Sequence, residues 1–218
     1  MKIKYLGHSC FSIINRNEKV LICDPFDSTI GYTMATVEAD IVTISHSHHD
    51  HSNLKKVKGS YDLIKTSKIY SGNGFNISSM GTFHDAFKGS KRGNNLSYII
   101  TCDGVSVCHL GDLGHMLSPK QLNMVKDVSA FFLPVGGTFT LDKKNLQKLV
   151  KKLQDKIIIP MHYKTEDCKL PISDLDDYLK STFLHTFRMS ELDISSDNLS
   201  SFSPGNYILD IISAWDKK

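Results

Sequence analysis

The run Ile41-Val42-Thr43-Ile44-Ser45 breaks off into His46-Ser47-His48-His49-Asp50-His51, and nothing else in the chain limits the fold so tightly. A β-branched apolar run reads as a buried strand, and histidines crowded at its end read as metal ligands that the strand delivers. On an extended backbone residues two apart share a face, which turns His46 and His48 toward one ion. Beyond the strand that alternation breaks, so Asp50 and His51 can reach a neighbouring position. Two sites side by side follow. Imidazole and carboxylate donors suit zinc first, with manganese or iron as alternatives.

The same arrangement recurs along the chain. Ile77 to Phe83 alternates and ends in His84; Val105 to Leu110 runs into Gly111-Asp112; Ile157-Ile158-Ile159-Pro160 leads to His162. Ligands at several strand ends point to a mixed α and β protein, because strands fix direction and the following loops carry the chemistry. By strand alternation His109 falls off the face of Asp112 and lies near the site without binding. Gly7-His8-Ser9 reads as a bulge interrupting one strand from Ile3 to Asn15, which leaves His8 beside the cleft as a supporting residue. Asp24 closes the buried strand Val20-Leu21-Ile22-Cys23.

Turn and helix signals fill in the rest. Asp103-Gly104 marks a hairpin, whereas Ser71 to Asn76 and the basic, Gly-rich Phe87 to Asn95 read as loops, the latter at the substrate rim. Ser118-Pro119 opens one helix. Asp142 opens a second, with Leu146, Leu149, Val150 and Leu153 on one face. Ser173 with Asp176 predicts a capping box and a further helix of about ten residues. Tyr207 to Ile212 reads as a closing strand.

The pattern His46-x-His48-x-Asp50-His51 after a hydrophobic strand resembles the signature of the metallo-β-lactamase-fold superfamily. Tyr5-Leu6-Gly7-His8-Ser9-Cys10-Phe11, Asp24-Pro25-Phe26 and Ile159-Pro160-Met161-His162-Tyr163 narrow the likeness to its branch of ascorbate-6-phosphate lactonase-like proteins. The resemblance implies an α/β fold, a four-layer αββα sandwich. It also implies two divalent ions, one held by His46, His48 and His84, the other by Asp50, His51 and His162, with Asp112 between them. Asp24 would brace the histidine loop without binding metal, and Asp50 would serve in catalysis. The implied activity is hydrolysis of an ester, lactone or phosphoester by water activated between the ions. A phosphodiesterase or nuclease-type hydrolase and a non-catalytic metal-binding module are the alternatives.

A length of 218 residues suits one hydrolase domain over 1–218. A formal charge of +3 does not indicate nucleic acid. Clusters such as Lys55-Lys56-Val57-Lys58 read first as solvated surface, with contact to a small anionic substrate as the alternative. Without an apolar leader or a long apolar run, a cytoplasmic protein with no membrane association is expected. The five cysteines form no C-x-x-C pair and read as reduced, buried thiols. Oligomeric state is open.

Overall fold

The structure is a computed structural model and describes residues 1–212. One six-stranded sheet runs in the order Leu192–Asp193, Lys2–Gly7, Cys10–Ile14, Val20–Cys23, Ile41–Thr43, Asp62–Ile64. An eight-stranded sheet runs Thr186–Met189, Gly205–Leu209, Ile157–Met161, Ala130–Pro134, Val105–His109, Asn94–Cys102, Phe75–Phe83, Tyr70–Gly72. Val37–Glu38 and Val57–Lys58 pair separately.

The two large sheets bury one apolar core between them. Ile3, Tyr5, Phe11, Ile13 and Leu21 of the first meet Ile77, Tyr98, Ile100 and Phe132 of the second. Phe11 stacks on Phe132 across the layers, ring centroids 4.2 Å apart. The Tyr98 hydroxyl crosses the same gap and donates to the carbonyls of Ile44 and Ile64. Outside the eight-stranded sheet, helix Lys143–Lys152 buries Leu146, Leu149 and Val150, while Asp142 caps its first turn by accepting from the Asn145 N–H. Pro119–Met124 and Leu175–Leu179 are the shorter helices of that layer. Outside the six-stranded sheet the cover is thin. Phe26, Ile30, Tyr32 and Met34, around the 3-10 turn Ser28–Ile30, pack on Leu6, Ile22, Val42 and Ile44. The result is an α/β sandwich of the expected αββα type, with loop and 3-10 turn in place of α-helix over the six-stranded sheet among the described residues.

Several local expectations change. Gly7-His8-Ser9 is more than a bulge in one strand: the register does shift between Tyr5 and Gly7, but Gly7 then pairs with Cys10, so the chain reverses there between two strands; glycine at φ 106° and His8 at φ 54° make the tight turn possible. Ser71 to Asn76 is not an open loop, because Asn73 and Gly74, both at positive φ, join Tyr70–Gly72 to Phe75–Phe83 as a hairpin. The late helix is capped by Asp174 rather than Ser173 and spans only Leu175–Leu179. The closing strand is Gly205–Leu209, lying parallel to both its neighbours. All five cysteines are free and buried.

Candidate metal centre

Pairing directions put the chemistry at one edge. Lys2–Gly7 is antiparallel to Cys10–Ile14, which is antiparallel to Val20–Cys23, which in turn is parallel to Ile41–Thr43. Three strands therefore point the same way, and they end at His8, Asp24 and the His46 loop. In the second sheet Phe75–Phe83, Val105–His109 and Ile157–Met161 share a direction by the same reasoning, and lead to His84, Asp112 and His162.

The strand before the histidine loop stops at Thr43, so alternation is not what brings His46 and His48 together. The loop folds back on itself instead. The His51 N–H donates to the His48 carbonyl, and Asn53 anchors the exit through its N–H to Pro25 and its amide to Phe26. With the loop so folded, His46, His48 and His84 offer ligand atoms lying within 4.8 Å of one another, as do His8, Asp50, His51 and His162. Between the groups lies Asp112. Its Oδ2 is 3.1 Å from His84 Nε2, 3.3 Å from His51 Nε2 and His162 Nε2, and 3.9 Å from His46 Nε2. His49 turns outward instead, its Nδ1 near Thr29 Oγ1 at 3.1 Å and Asp27 Oδ1 at 3.3 Å.

Hydrogen bonds assign the imidazole tautomers. Asp24 accepts from the Ser45 N–H through Oδ1, and from the Ser45 hydroxyl and His51 Nδ1 through Oδ2. With its proton given to Asp24, Ser45 Oγ accepts from His46 Nδ1 at 2.9 Å. Both histidines then turn Nε2 toward the centre. Those two nitrogens are buried and have no hydrogen-bond partner, although carboxylates lie within ion-pair distance. Buried acceptors left unpaired are costly, and a cation removes that cost. The donor set therefore fits divalent metal.

Protonation follows the same geometry. Burial, reinforced by His162, lowers His8 to about 4, and burial with His51 beside it lowers His46 to about 3. His48 is lowered by burial and by His84. Neutral imidazoles are what a metal requires. His51 behaves oppositely: burial opposes its charge, but Asp112 and Asp24 on either side raise it well above the ordinary value, so a cation binding at its Nε2 would have to displace a proton. Burial would raise Asp112 and Asp50, yet the adjacent imidazoles hold both below the usual carboxylate range.

His8 lies inside the second group of candidate donors. Its Nε2 is 3.3 Å from Asp50 Oδ2 and its ring lies 4.3 Å from that of His162. His109 stays out of both groups and instead holds the first hairpin, Nε2 to the Ser9 carbonyl at 2.8 Å. The sequence reading missed Ser45, Tyr5 and Asn95. Ser45 links Asp24 to His46, the Tyr5 hydroxyl donates to the His8 carbonyl, and Asn95 accepts from the Asp112 N–H while donating to Leu110. A lone serine or asparagine carries no distinguishing pattern, and Tyr5, although part of the motif that narrows the resemblance, gave no sign of its bond to His8, so only the Ser45-His46 adjacency held any signal of a partner.

The chain matches the family model described as "Beta-lactamase superfamily domain" over residues 2–162. A UPF0173 metal-dependent hydrolase of Alkaliphilus metalliredigens is 34% identical over 195 residues, 76% of this chain and 86% of that protein. Another from Thermococcus kodakarensis is 31% identical, over 76% of this chain and 85% of that protein. Among solved structures, a Thermotoga maritima protein described as a candidate Zn-dependent hydrolase of the metallo-beta-lactamase superfamily superposes with a TM-score of 0.75 at 33% identity, covering 95% of this chain and 97% of that one.

Proposed function

This chain belongs to the β-lactamase superfamily, and on that premise we propose that it is a metal-dependent hydrolase whose centre takes two divalent ions and acts on an ester, lactone or phosphoester. His46, His48 and His84 would hold one ion; Asp50, His51 and His162 would hold the other, with Asp112 between them. The carrying observation is the convergence of four Nε2 atoms on Asp112 Oδ2, with those of His46 and His51 buried and unpaired. Zinc is the first choice of ion, supported by the description of the Thermotoga protein and by the imidazole-rich donor set. Bound there, the ions supply Lewis acidity, bringing water toward a pKa of about 7 and polarising the scissile group.

The chain's own groups do the rest. Asp50, oriented by His8 at one oxygen, accepts the proton of the attacking water. Asp24 and Ser45 hold the tautomers of His51 and His46. A small anionic substrate is favoured by the exposed Lys88, Lys91 and Arg92 on the loop after His84. Elemental analysis with a zinc titration, alongside an assay of lactones, phosphomonoesters, bis-p-nitrophenyl phosphate and cyclic nucleotides, tests this reading. Two ions per chain and turnover of one of these classes are expected. A titration that stops at one ion, with His51 and His162 substitutions silent, would rule out the paired site.

A further inference from the structure

The residue after His84 does something unusual for a surface-loop carboxylate. Asp85 Oδ1 accepts the N–H groups of Phe87 at 2.7 Å and Gly89 at 3.0 Å; Oδ2 accepts those of Lys91 at 2.9 Å and Arg92 at 2.8 Å. The loop is thus wound around one side chain. Lys88, Gly89 and Gly93 take positive φ to allow the winding. Its ends are closed by the His84 N–H on the Gly93 carbonyl at 3.1 Å. A second clamp comes from the Asp112 side. Gly114 donates to the Phe83 carbonyl, and a side chain at Gly114 would collide with the backbone of His84 and Asp85. From this loop Arg92 also lies over the Phe139 ring, 4.5 Å from its centroid.

We propose that Asp85 is a positioning residue for the metal centre: by gathering four backbone N–H groups around the residue next to His84, it fixes the backbone from which the His84 imidazole reaches Asp112. The alternative, a carboxylate that only orders surface, would leave His84 indifferent to the loop. It would not explain why both loop ends close on His84 and its neighbour. Four charge-assisted hydrogen bonds to one carboxylate make a stiff hub, and stiff support is what holds a ligand ring within the tolerance a metal needs. The proposal rests on His84 being a metal ligand, as argued above.

Cobalt(II) as a spectroscopic probe and zinc in competition with a chelator test it on the full chain, using Asp85→Ala, Asp85→Asn and, as reference, His84→Ala. Asp85→Ala is expected to weaken metal about 10–100-fold, the usual effect of removing a group that supports a ligand. Its cobalt absorption should change, and amide exchange at Phe87, Gly89, Lys91 and Arg92 should quicken. Asp85→Asn should recover part of the affinity, because its remaining oxygen still accepts two of the four N–H groups; it also serves if Asp85→Ala does not fold. Faster exchange in either variant with wild-type metal affinity and spectrum would overturn the proposal, leaving Asp85 a loop former only. If His84→Ala itself binds metal as the wild type does, the assignment of His84 falls instead.

Discussion

His8, Asp24 and His162 each take a left-handed backbone at the first position beyond a strand, with φ of 54°, 43° and 53°. That conformation costs a non-glycine residue about 1–2 kcal/mol. Each is held by bonds that recoup part of it. The Tyr5 hydroxyl and the His162 N–H both donate to the His8 carbonyl, and Asp24 accepts from Ser45 and His51. In a chelator, where the ligand's role is removed, His162→Gly should therefore be more stable than His162→Ala by about 1 kcal/mol, because glycine carries no left-handed penalty. Urea titration of both metal-free variants checks this, and equal midpoints would show that no strain is held there. Asp24→Ala should weaken zinc about 10–100-fold by freeing the tautomers of His46 and His51. Asp50→Asn should lower kcat by about 10²–10⁴-fold on an active substrate. His49→Ala, which removes an outward-facing ring, should leave both metal content and turnover near wild type.

Helix Lys143–Lys152 shows how a local signal survives into the fold. The Asn145 N–H holds the Asp142 carboxyl below its ordinary value. A depressed folded pKa contributes stability above the unfolded value near 3.9 and loses it as pH falls through the folded value. Asp142→Ala should thus cost about 1 kcal/mol at neutral pH and progressively less below about pH 4. Matched denaturant titrations at the two pH values would contradict this if the cost stayed constant. This helix and the Asp103-Gly104 hairpin were legible because cap, period and turn chemistry are local. The same holds for the strand-then-ligand pattern at His84, Asp112 and His162. What was not legible depends on partners distant in sequence. His8 needs Asp50 and His162 beside it to matter, and although the irregularity at Gly7 is real, the two-residue reversal next to it leaves the apolar pattern intact on both sides and so gave no sign of a second strand. Conversely, the strand Ile41–Thr43 was read too long, since the apolar Ile44 and Ser45 belong to the turn that packs under the site.

Across the whole molecule, the centre draws on both sheets, from His8 and the His46 loop in one to His84, Asp112 and His162 in the other. Metal that binds only the assembled form adds stability by mass action, about 2.7 kcal/mol when free ion stands at 100 times Kd. For a chain of this size that corresponds to about 5–10 °C in Tm. Calorimetry before and after chelation should record the drop, and an unchanged Tm after verified metal removal would mean that the two sheets do not share the ions. The His162 N–H bond to the His8 carbonyl has a further consequence, one for biosynthesis. A growing chain exposes His8 and the histidine loop long before His162 leaves the ribosome. If the two-ion proposal holds, the group containing Asp50 and His51 cannot be complete until the strand ending at Met161 has been made, so filling of that position would be a step that follows translation of most of the chain.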